Sequence, residues 1–258
     1  IRNWYLARMV EDGRYKFFRK QSFDKILFMK IWKPAWRAGL SGLMSNGLTH
    51  ISGILYAQIG SVEMVAAYLL ALKIISQIKE ISMAPFYSKL PLLARLRVEG
   101  NLKALKNTAQ KGMFLGHLVF VIGVIFVSLF SDYLLSQISS NVDFVTNDFW
   151  LLLSLAFFIH RYGAMHMQLY LTTNHVISHI ADGVSGIIFS ATSLLLIQEY
   201  GLYAIPYGML AGYLGFYAWY AAYYSLKSVK ESFFLFEIKS SILPLIILLI
   251  FTSLIFLK

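Results

Sequence analysis

The sequence predicts an all-α, polytopic membrane protein with about seven transmembrane helices, and three observations lead to this prediction. Hydrophobic residues make up 58% of the chain and the mean hydropathy is +0.62, more apolar side chain than a water-soluble domain could bury. Charged residues make up only 14%, against about 25% in soluble domains. Basic residues are confined mostly to alternate connections between apolar segments. This composition argues against a soluble enzyme or a disordered regulator, and the absence of cysteine argues against a disulfide scaffold.

Seven segments are long and apolar enough to be considered as spans, because a helix needs about 20 mostly apolar residues to cross a bilayer. The predicted spans are 38–58, 64–88, 113–135, 149–171, 177–198, 203–224 and 241–257. The third and the seventh are the most uniformly apolar. The first, second and fifth contain many polar and small residues, which is typical of helices that other helices cover or that line a wet cavity.

Prolines and glycines predict where these helices end or approach each other. Pro85 and Pro91 should kink or end the second span near the cytoplasm. The stretch 92–111 is predicted to be a short amphipathic helix, or a helix pair broken at Gly100. Gly208 and Gly212 are spaced so that another helix could approach closely.

The distribution of lysine and arginine predicts the orientation. If the N-terminus is cytoplasmic, the inside segments carry nineteen Lys/Arg and the outside loops carry none. The inside segments are 1–37, 89–112, 172–176 and 225–240, and the outside loops are near 59–63, 136–148 and 199–202. This is the positive-inside pattern, and it explains the net charge of +10 without nucleic acid. We therefore predict a multi-pass protein of the cell inner membrane. The basic and aromatic stretch 1–33 is either an ordinary cytoplasmic segment or a segment that binds anionic lipid head groups.

Ionisable groups inside predicted spans are the first functional candidates, because they are costly in a bilayer. Arg161 lies near the middle of the fourth span and needs water, a carboxylate or an anionic ligand. The alternatives are therefore contact with an anion and a structural ion pair with Asp182 or Glu80.

A polar stripe in the second span is formed by Lys73, Gln77 and Glu80, spaced four and three residues apart. It predicts a hydrated lumen, although a local lysine–glutamate pair could also neutralise itself. In the first span, Asn46 and His50 are weaker candidates for ligand contact, since close helix packing explains the same composition.

No catalytic arrangement and no cofactor motif is present in the sequence, and we predict that the protein is not an enzyme. His175, His179 and Asp182 share a helical face, but such interfacial residues often cap helices. We accordingly predict no metal site and no cofactor.

Several short motifs resemble those of bacterial flippases for lipid-linked O-antigen and polysaccharide repeat units. These flippases belong to the multidrug/oligosaccharidyl-lipid/polysaccharide exporter superfamily. The resemblance extends over about residues 30–240. The motifs are WKPAWRAG at 32–39, LARLRVEG at 93–100, RYGAMH at 161–166, QLY at 168–170 and TTNH at 172–175.

The resemblance implies a transporter with two six-helix lobes around a central cavity, of which this chain would be the C-terminal one. The divisions would be an inter-lobe segment 1–37, a six-helix transmembrane lobe 38–224, and a cytoplasmic connection plus one further helix, 225–258. The implied cargo is an undecaprenyl-pyrophosphate-linked oligosaccharide for O-antigen, lipopolysaccharide or other polysaccharide biosynthesis.

The implied partners of the lobe are the lipid bilayer and an N-terminal lobe of the same protein. Lys73 and Arg161 would then meet the pyrophosphate and acidic sugars. A multidrug exporter of the same superfamily, a membrane-embedded polysaccharide polymerase or ligase, and a non-catalytic scaffold subunit stay as alternatives.

Overall fold

The computed structural model describes residues 24–137 and 143–256, and within its first helix the side chains of only some residues. The structure is 88% helix, and the described residues contain no strand. The all-α class predicted from the sequence is therefore confirmed for this part of the chain. The chain divides into two compact units, Ile1–Trp36 and Arg37–Lys258.

In the first unit, the described residues form the start of helix α1 (Lys25–Ile59). Asp24 precedes this helix, and its Oδ1 accepts hydrogen bonds from the backbone amides of Ile26 and Leu27 at 2.9 and 3.0 Å. A side-chain oxygen here satisfies amides that have no partner in the first helical turn. Asp24 therefore fixes where α1 begins.

The second unit contains the rest of α1 and a series of helices joined by short connections. They are α2 (Val62–Tyr87), α3 (Leu90–Val98), α4 (Leu102–Gln137), α5 (Asn147–Leu171), α6 (Ser178–Tyr200), α7 (Ala204–Gly212), α8 (Ala218–Val229), α9 (Phe233–Glu237) and α10 (Ile242–Phe256). A 3₁₀ turn (Gly201–Tyr203) joins α6 to α7, and a π-helical turn (Tyr213–Tyr217) joins α7 to α8. Every predicted span falls on one or two of these helices.

Two stretches of the described residues are long and apolar enough to cross a membrane, judged by length and composition. They are Leu102–Tyr133 and Ser178–Val229, and the second contains two predicted spans separated by the 3₁₀ turn. A third helix, Ile242–Ile255, is apolar but shorter. Among the described residues, these helices are what supports membrane association.

Apolar side chains form two buried clusters in the second unit. The larger one joins α2, α4, α5, α6 and α7 and includes Tyr68, Phe120 and Trp150. The smaller one joins α3 to the adjoining parts of α4, α5, α8 and α9, and it includes Leu93 and Phe236. The short helix α3 is therefore attached to the bundle by its apolar face, as the amphipathic pattern predicts.

The predicted breaks around α3 are confirmed. Pro85 lies in the last turn of α2, which ends at Tyr87, and Pro91 lies in the first turn of α3, where its missing N–H costs nothing. Gly100 separates α3 from α4 with φ 72°, a left-handed conformation that glycine adopts without strain.

The close approach predicted for Gly208 and Gly212 is also confirmed. A Cβ atom on Gly208 would lie 2.8 Å from the carbonyl oxygen of Phe189, and one on Gly212 would overlap the carbonyl oxygen of Ser185. Helices α6 and α7 therefore pack backbone to backbone on either side of the 3₁₀ turn. Small residues at this spacing are what such packing requires.

Candidate functional site: a polar cavity between helices

A cavity of about 400 Å³ lies between α1, α2, α5, α6 and the π-helical turn in the second unit. Among the described residues, its polar and aromatic lining consists of Lys79, Glu80, Tyr87, His160, Gln168, His175, Ser178, Asp182 and Tyr217. Glu80 and His175 are exposed, so the cavity reaches the surface. A concave site with a few converging polar groups among apolar helices is the usual form of a ligand site.

Helix α2 contributes one cation and one anion to the cavity. Lys79 Nζ lies 3.2 Å from Glu80 Oε1, and the Glu80 side chain is 64% exposed. A pair this exposed is weak, because water competes for both charges. Lys79 can therefore exchange its carboxylate partner for another anion at small cost.

Helix α5 presents His160, Ala164 and Gln168 to the cavity. They are spaced by four residues and so share one helical face. The His160 ring stacks on Tyr217, with centroids 5.1 Å apart, and contacts Tyr213 at 4.6 Å. The π-helical turn thus orients His160. We did not predict His160 from the sequence, although its spacing to Gln168 is the signal that could have revealed it.

Helix α6 and the loop before it supply His175, Ser178 and Asp182. Asp182 is buried, with 5% of its surface exposed. His175 Nδ1 lies 3.0 Å from the carbonyl oxygen of Thr173, so this histidine fixes its own loop. Within the described residues no three His, Cys, Asp or Glu side chains are grouped closely enough to hold a metal ion.

The structure separates the residues that the sequence analysis selected as cavity residues. Glu80 lines the cavity, whereas Lys73 and Gln77 are exposed on the surface of α2 and do not line it. Asn46 and His50 lie outside the residues whose side chains are described. The predicted polar stripe of α2 therefore exists as an exposed face of the unit, with the cavity at one end.

Arg161 does not line the cavity and is fully buried between α2, α4 and α5. Its Nε donates to Ser82 Oγ at 3.1 Å, its Nη2 lies 3.1 Å from His117 Nδ1, and its guanidinium lies over the Phe120 ring at 4.9 Å. Neither Glu80 nor Asp182 is among its partners in the described residues. The ion pair proposed as the structural alternative is therefore absent here, and neutral groups and an aromatic face take its place.

A second buried polar cluster joins α5 to α9 and α10. His166 Nε2 lies 3.0 Å from Glu237 Oε1, and Tyr162 donates to the same oxygen at 3.1 Å. Ser240 donates to Glu237 Oε2 at 2.9 Å, and Ser241 donates to it as well. Burial alone would raise the pKa of Glu237, but His166 and these hydroxyl groups hold it below its ordinary value. The sequence analysis did not identify this cluster.

Arg97 of helix α3 makes a three-point contact with two other helices. Its Nε donates to Thr172 Oγ1 at 2.6 Å, and its two terminal nitrogens donate to the carbonyl and hydroxyl oxygens of Ser228 at 3.1 Å. The carbonyl belongs to the last turn of α8, where backbone oxygens lack helical partners. Arg97 therefore joins the ends of α5 and α8.

A comparison of the chain with models of known families, with curated proteins and with solved structures found no match.

Proposed function

We propose that the chain is the membrane-embedded lobe of a transporter that moves an undecaprenyl-pyrophosphate-linked oligosaccharide across the bacterial inner membrane by alternating access. The observation that carries the proposal is the polar cavity of about 400 Å³ between helices that expose many large apolar side chains. Transporter sites lie between helices near the middle of the bilayer, where polar groups are tolerated because they face water or substrate.

The proposal places seven helical crossings in the membrane with the N-terminus in the cytoplasm. Two long apolar stretches support it, as does the confinement of basic residues to one set of connections. Helix α10 has 15 described residues, about 22 Å at 1.5 Å per residue. Such a helix crosses a bilayer core with local thinning or with help from flanking residues.

The cavity chemistry suits a lipid-linked sugar. His160 and Tyr217 offer ring faces on which sugars stack, and Gln168 offers both a donor and an acceptor. Lys79 can bind the pyrophosphate in exchange for its ion pair with the exposed Glu80. Lys79 thus takes the role that the sequence analysis gave to Lys73 and Arg161. The mouth beside His175 lies at the loop 172–176, predicted to be cytoplasmic, where cargo made in the cytoplasm would enter.

The exposed face of α2 supports a second helical body. Lys73, Gln77 and Glu80 are exposed along one line of a helix that the proposal places in the membrane. Charged and amide side chains on a lipid-facing surface are costly, so this face should meet water or another lobe. We propose that it meets an N-terminal lobe across a central, hydrated passage.

A multidrug exporter is the second candidate, and one observation favours it. Two carboxylates, Glu80 and Asp182, line the cavity, and the Glu80 side chain is 64% exposed. An exposed carboxylate at the cavity could also bind an organic cation.

Complementation of a bacterial strain that lacks its polysaccharide flippase tests the proposal. Ala164→Phe should narrow the cavity and abolish surface polysaccharide at normal protein level, whereas Ile122→Phe on the exposed apolar face of α4 should not. Lys79→Ala should reduce display, and Lys103→Ala, an exposed lysine outside the cavity, serves as its control. Normal polysaccharide display with Ala164→Phe would count against the cavity. Loss of drug resistance with unchanged polysaccharide would favour the multidrug exporter.

A further inference from the structure

A second, smaller cavity has an almost wholly apolar lining. It holds about 200 Å³ between α5, α8 and α10, where Phe158, Leu214, Trp219 and Leu245 line it. Its acidic group is Glu237, which already accepts hydrogen bonds from Tyr162 and two serines and is not free for a ligand. This second cavity, named the crevice, therefore offers a ligand apolar contacts, unlike the polar cavity.

The rim of the crevice lies at the short helix α9. Phe233 of this helix lines the crevice and stacks on Trp219, with ring centroids 5.5 Å apart. Phe234, Leu235 and Ile238 of the same connection are 77%, 61% and 64% exposed. Because α9 has only five residues and belongs to the predicted cytoplasmic connection 225–240, it cannot cross a bilayer. Exposed apolar side chains on such a segment are typical of insertion at the membrane surface.

Three exposed lysines flank this apolar rim. Lys230 caps the C-terminus of α8, three residues before Phe233, and Lys239 follows Glu237 by two residues. Lys227 lies in the last turn of α8, and its Nζ is 5.6 Å from the Tyr223 ring centroid. The acidic groups of the connection are engaged with other partners. Glu231 pairs with Lys106 at 2.6 Å, and Glu237 lies inside its buried cluster. Glu231 also lies within electrostatic range of Lys239. The three lysines still leave the rim with an excess of positive charge beside an apolar crevice.

We propose that this crevice is a binding site for an anionic membrane phospholipid. One acyl chain occupies the crevice beside Trp219, and the phosphate is held by Lys227, Lys230 and Lys239. Apolar area beside a cluster of two or three lysines matches the two parts of such a lipid, and each lysine near an anionic surface favours binding by roughly five-fold. The site rests on the proposed embedding in a membrane, but not on transport of any cargo.

Fluorescence quenching by brominated lipids tests the site. The variant Trp4→Phe, Trp32→Phe, Trp36→Phe retains Trp219 and Trp150, and Trp150 is an internal control because it is fully buried and bonded to the Val124 carbonyl. The protein is reconstituted in phosphatidylethanolamine vesicles that contain an equal fraction of either brominated phosphatidylglycerol or brominated phosphatidylethanolamine. We expect the anionic brominated lipid to quench Trp219 several-fold more strongly.

The lysine variant then shows whether charge selects the lipid. Lys227→Ala, Lys230→Ala, Lys239→Ala combined should lower the ratio of quenching by the two lipids to about one. A matched control is Lys89→Ala, Lys103→Ala, Lys111→Ala combined, three exposed lysines of another predicted cytoplasmic segment, which should keep the preference.

The outcomes separate this site from the transport proposal. Equal quenching of Trp219 by both lipids, or a preference that survives loss of the three rim lysines, overturns the lipid site and leaves the membrane embedding intact. Absence of Trp219 quenching by either brominated lipid would overturn the embedding as well, and the proposed function with it.

Discussion

The guanidinium of Arg161 lies 3.1 Å from Nδ1 of His117, with both side chains fully buried. Arginine can only donate, so Nδ1 of His117 must accept, and the histidine is neutral with its proton on Nε2. That Nε2 has no hydrogen-bond partner among the described residues. A buried charge is thus held by a neutral ring and a serine hydroxyl rather than by a carboxylate.

The first prediction concerns this contact. His117→Phe keeps a ring against Phe158, whose centroid is 4.7 Å away, but removes the acceptor. We expect a loss of about 1–3 kcal/mol in the free energy of unfolding, because the guanidinium loses a charged hydrogen bond. Thermal unfolding in detergent measures it. Ser154→Ala is the control, since the buried Ser154 hydroxyl has no partner among the described residues and its removal should be nearly neutral. Equal stability of the two variants would show that the contact contributes nothing.

The role of Arg161 is tested by an uncharged, unbranched substitution. Arg161→Met fills most of the same space without a charge, and replacing a buried charge by an apolar side chain is often neutral. Because Arg161 does not line the cavity, we expect normal protein level and retained polysaccharide display in the complementation assay. Normal protein level with display abolished would instead assign Arg161 to the cargo.

The three-point contact of Arg97 predicts that its loss increases hydrogen exchange locally and not throughout the chain. Arg97→Lys replaces a planar fork by a single ammonium group and cannot satisfy Thr172 and both Ser228 oxygens. Hydrogen exchange should therefore rise in 89–101 and in the last turn of α8 while the rest of the chain is unchanged. Arg95→Lys is the control, because Arg95 is 67% exposed and pairs with Glu99 on its own helix, one turn away. Unchanged exchange near α8 in the Arg97 variant would contradict the prediction.

Helix packing around the α6–α7 turn predicts that alanine substitutions at Gly212 and Gly215, on neighbouring helical turns, have different effects on stability. Gly212→Ala forces a methyl group against the Ser185 carbonyl, so we expect a loss of about 1–3 kcal/mol despite the better helix propensity of alanine. Gly215→Ala meets nothing within 4 Å and should be neutral or slightly stabilising. Thermal unfolding of both variants in the same detergent decides this, and an equal effect at both positions would contradict the close packing.

The stability of the protein should fall in acid because of two glutamates. A hydrogen bond from Lys106 lowers the pKa of Glu231 below its ordinary value of 4.5, and the pKa of Glu237 is also lowered, against the effect of burial, by His166 and the serines. A carboxyl group with a lowered pKa stabilises the folded state above pH 4.5, and this contribution is lost as the pH falls through the folded-state pKa.

Unfolding temperatures at pH 7 and pH 4 measure this effect. The Glu231→Gln and Glu237→Gln variants should each unfold at a lower temperature than the unmodified chain at pH 7. Their unfolding temperatures should also fall less between pH 7 and pH 4. Glu99→Gln alters an exposed ion pair, so the unfolding temperature of this variant should fall on acidification as much as that of the unmodified chain. A pH dependence that none of these substitutions changes would rule out both glutamates as its origin.

The sequence by itself determined the helical class and the breaks between helices. Long apolar runs can satisfy their backbone groups only as helices in an apolar surrounding, and Pro85, Pro91 and Gly100 act through local backbone geometry. These properties depend on residues a few positions apart, so composition and spacing are sufficient to predict them. The polar stripe of α2 was predicted in the same way, since Lys73, Gln77 and Glu80 share a face in any regular helix.

Only the tertiary structure decided which side chains meet. Hydropathy and spacing do not set how far a helix rotates about its axis when polar residues occur on several of its faces. That rotation places His160 at the cavity and its neighbour Arg161 in the packed interior, although the two residues are adjacent in the chain. Partners such as Arg97 and Ser228 are 131 residues apart. Their contact depends on the packing of three helices, which no local pattern contains.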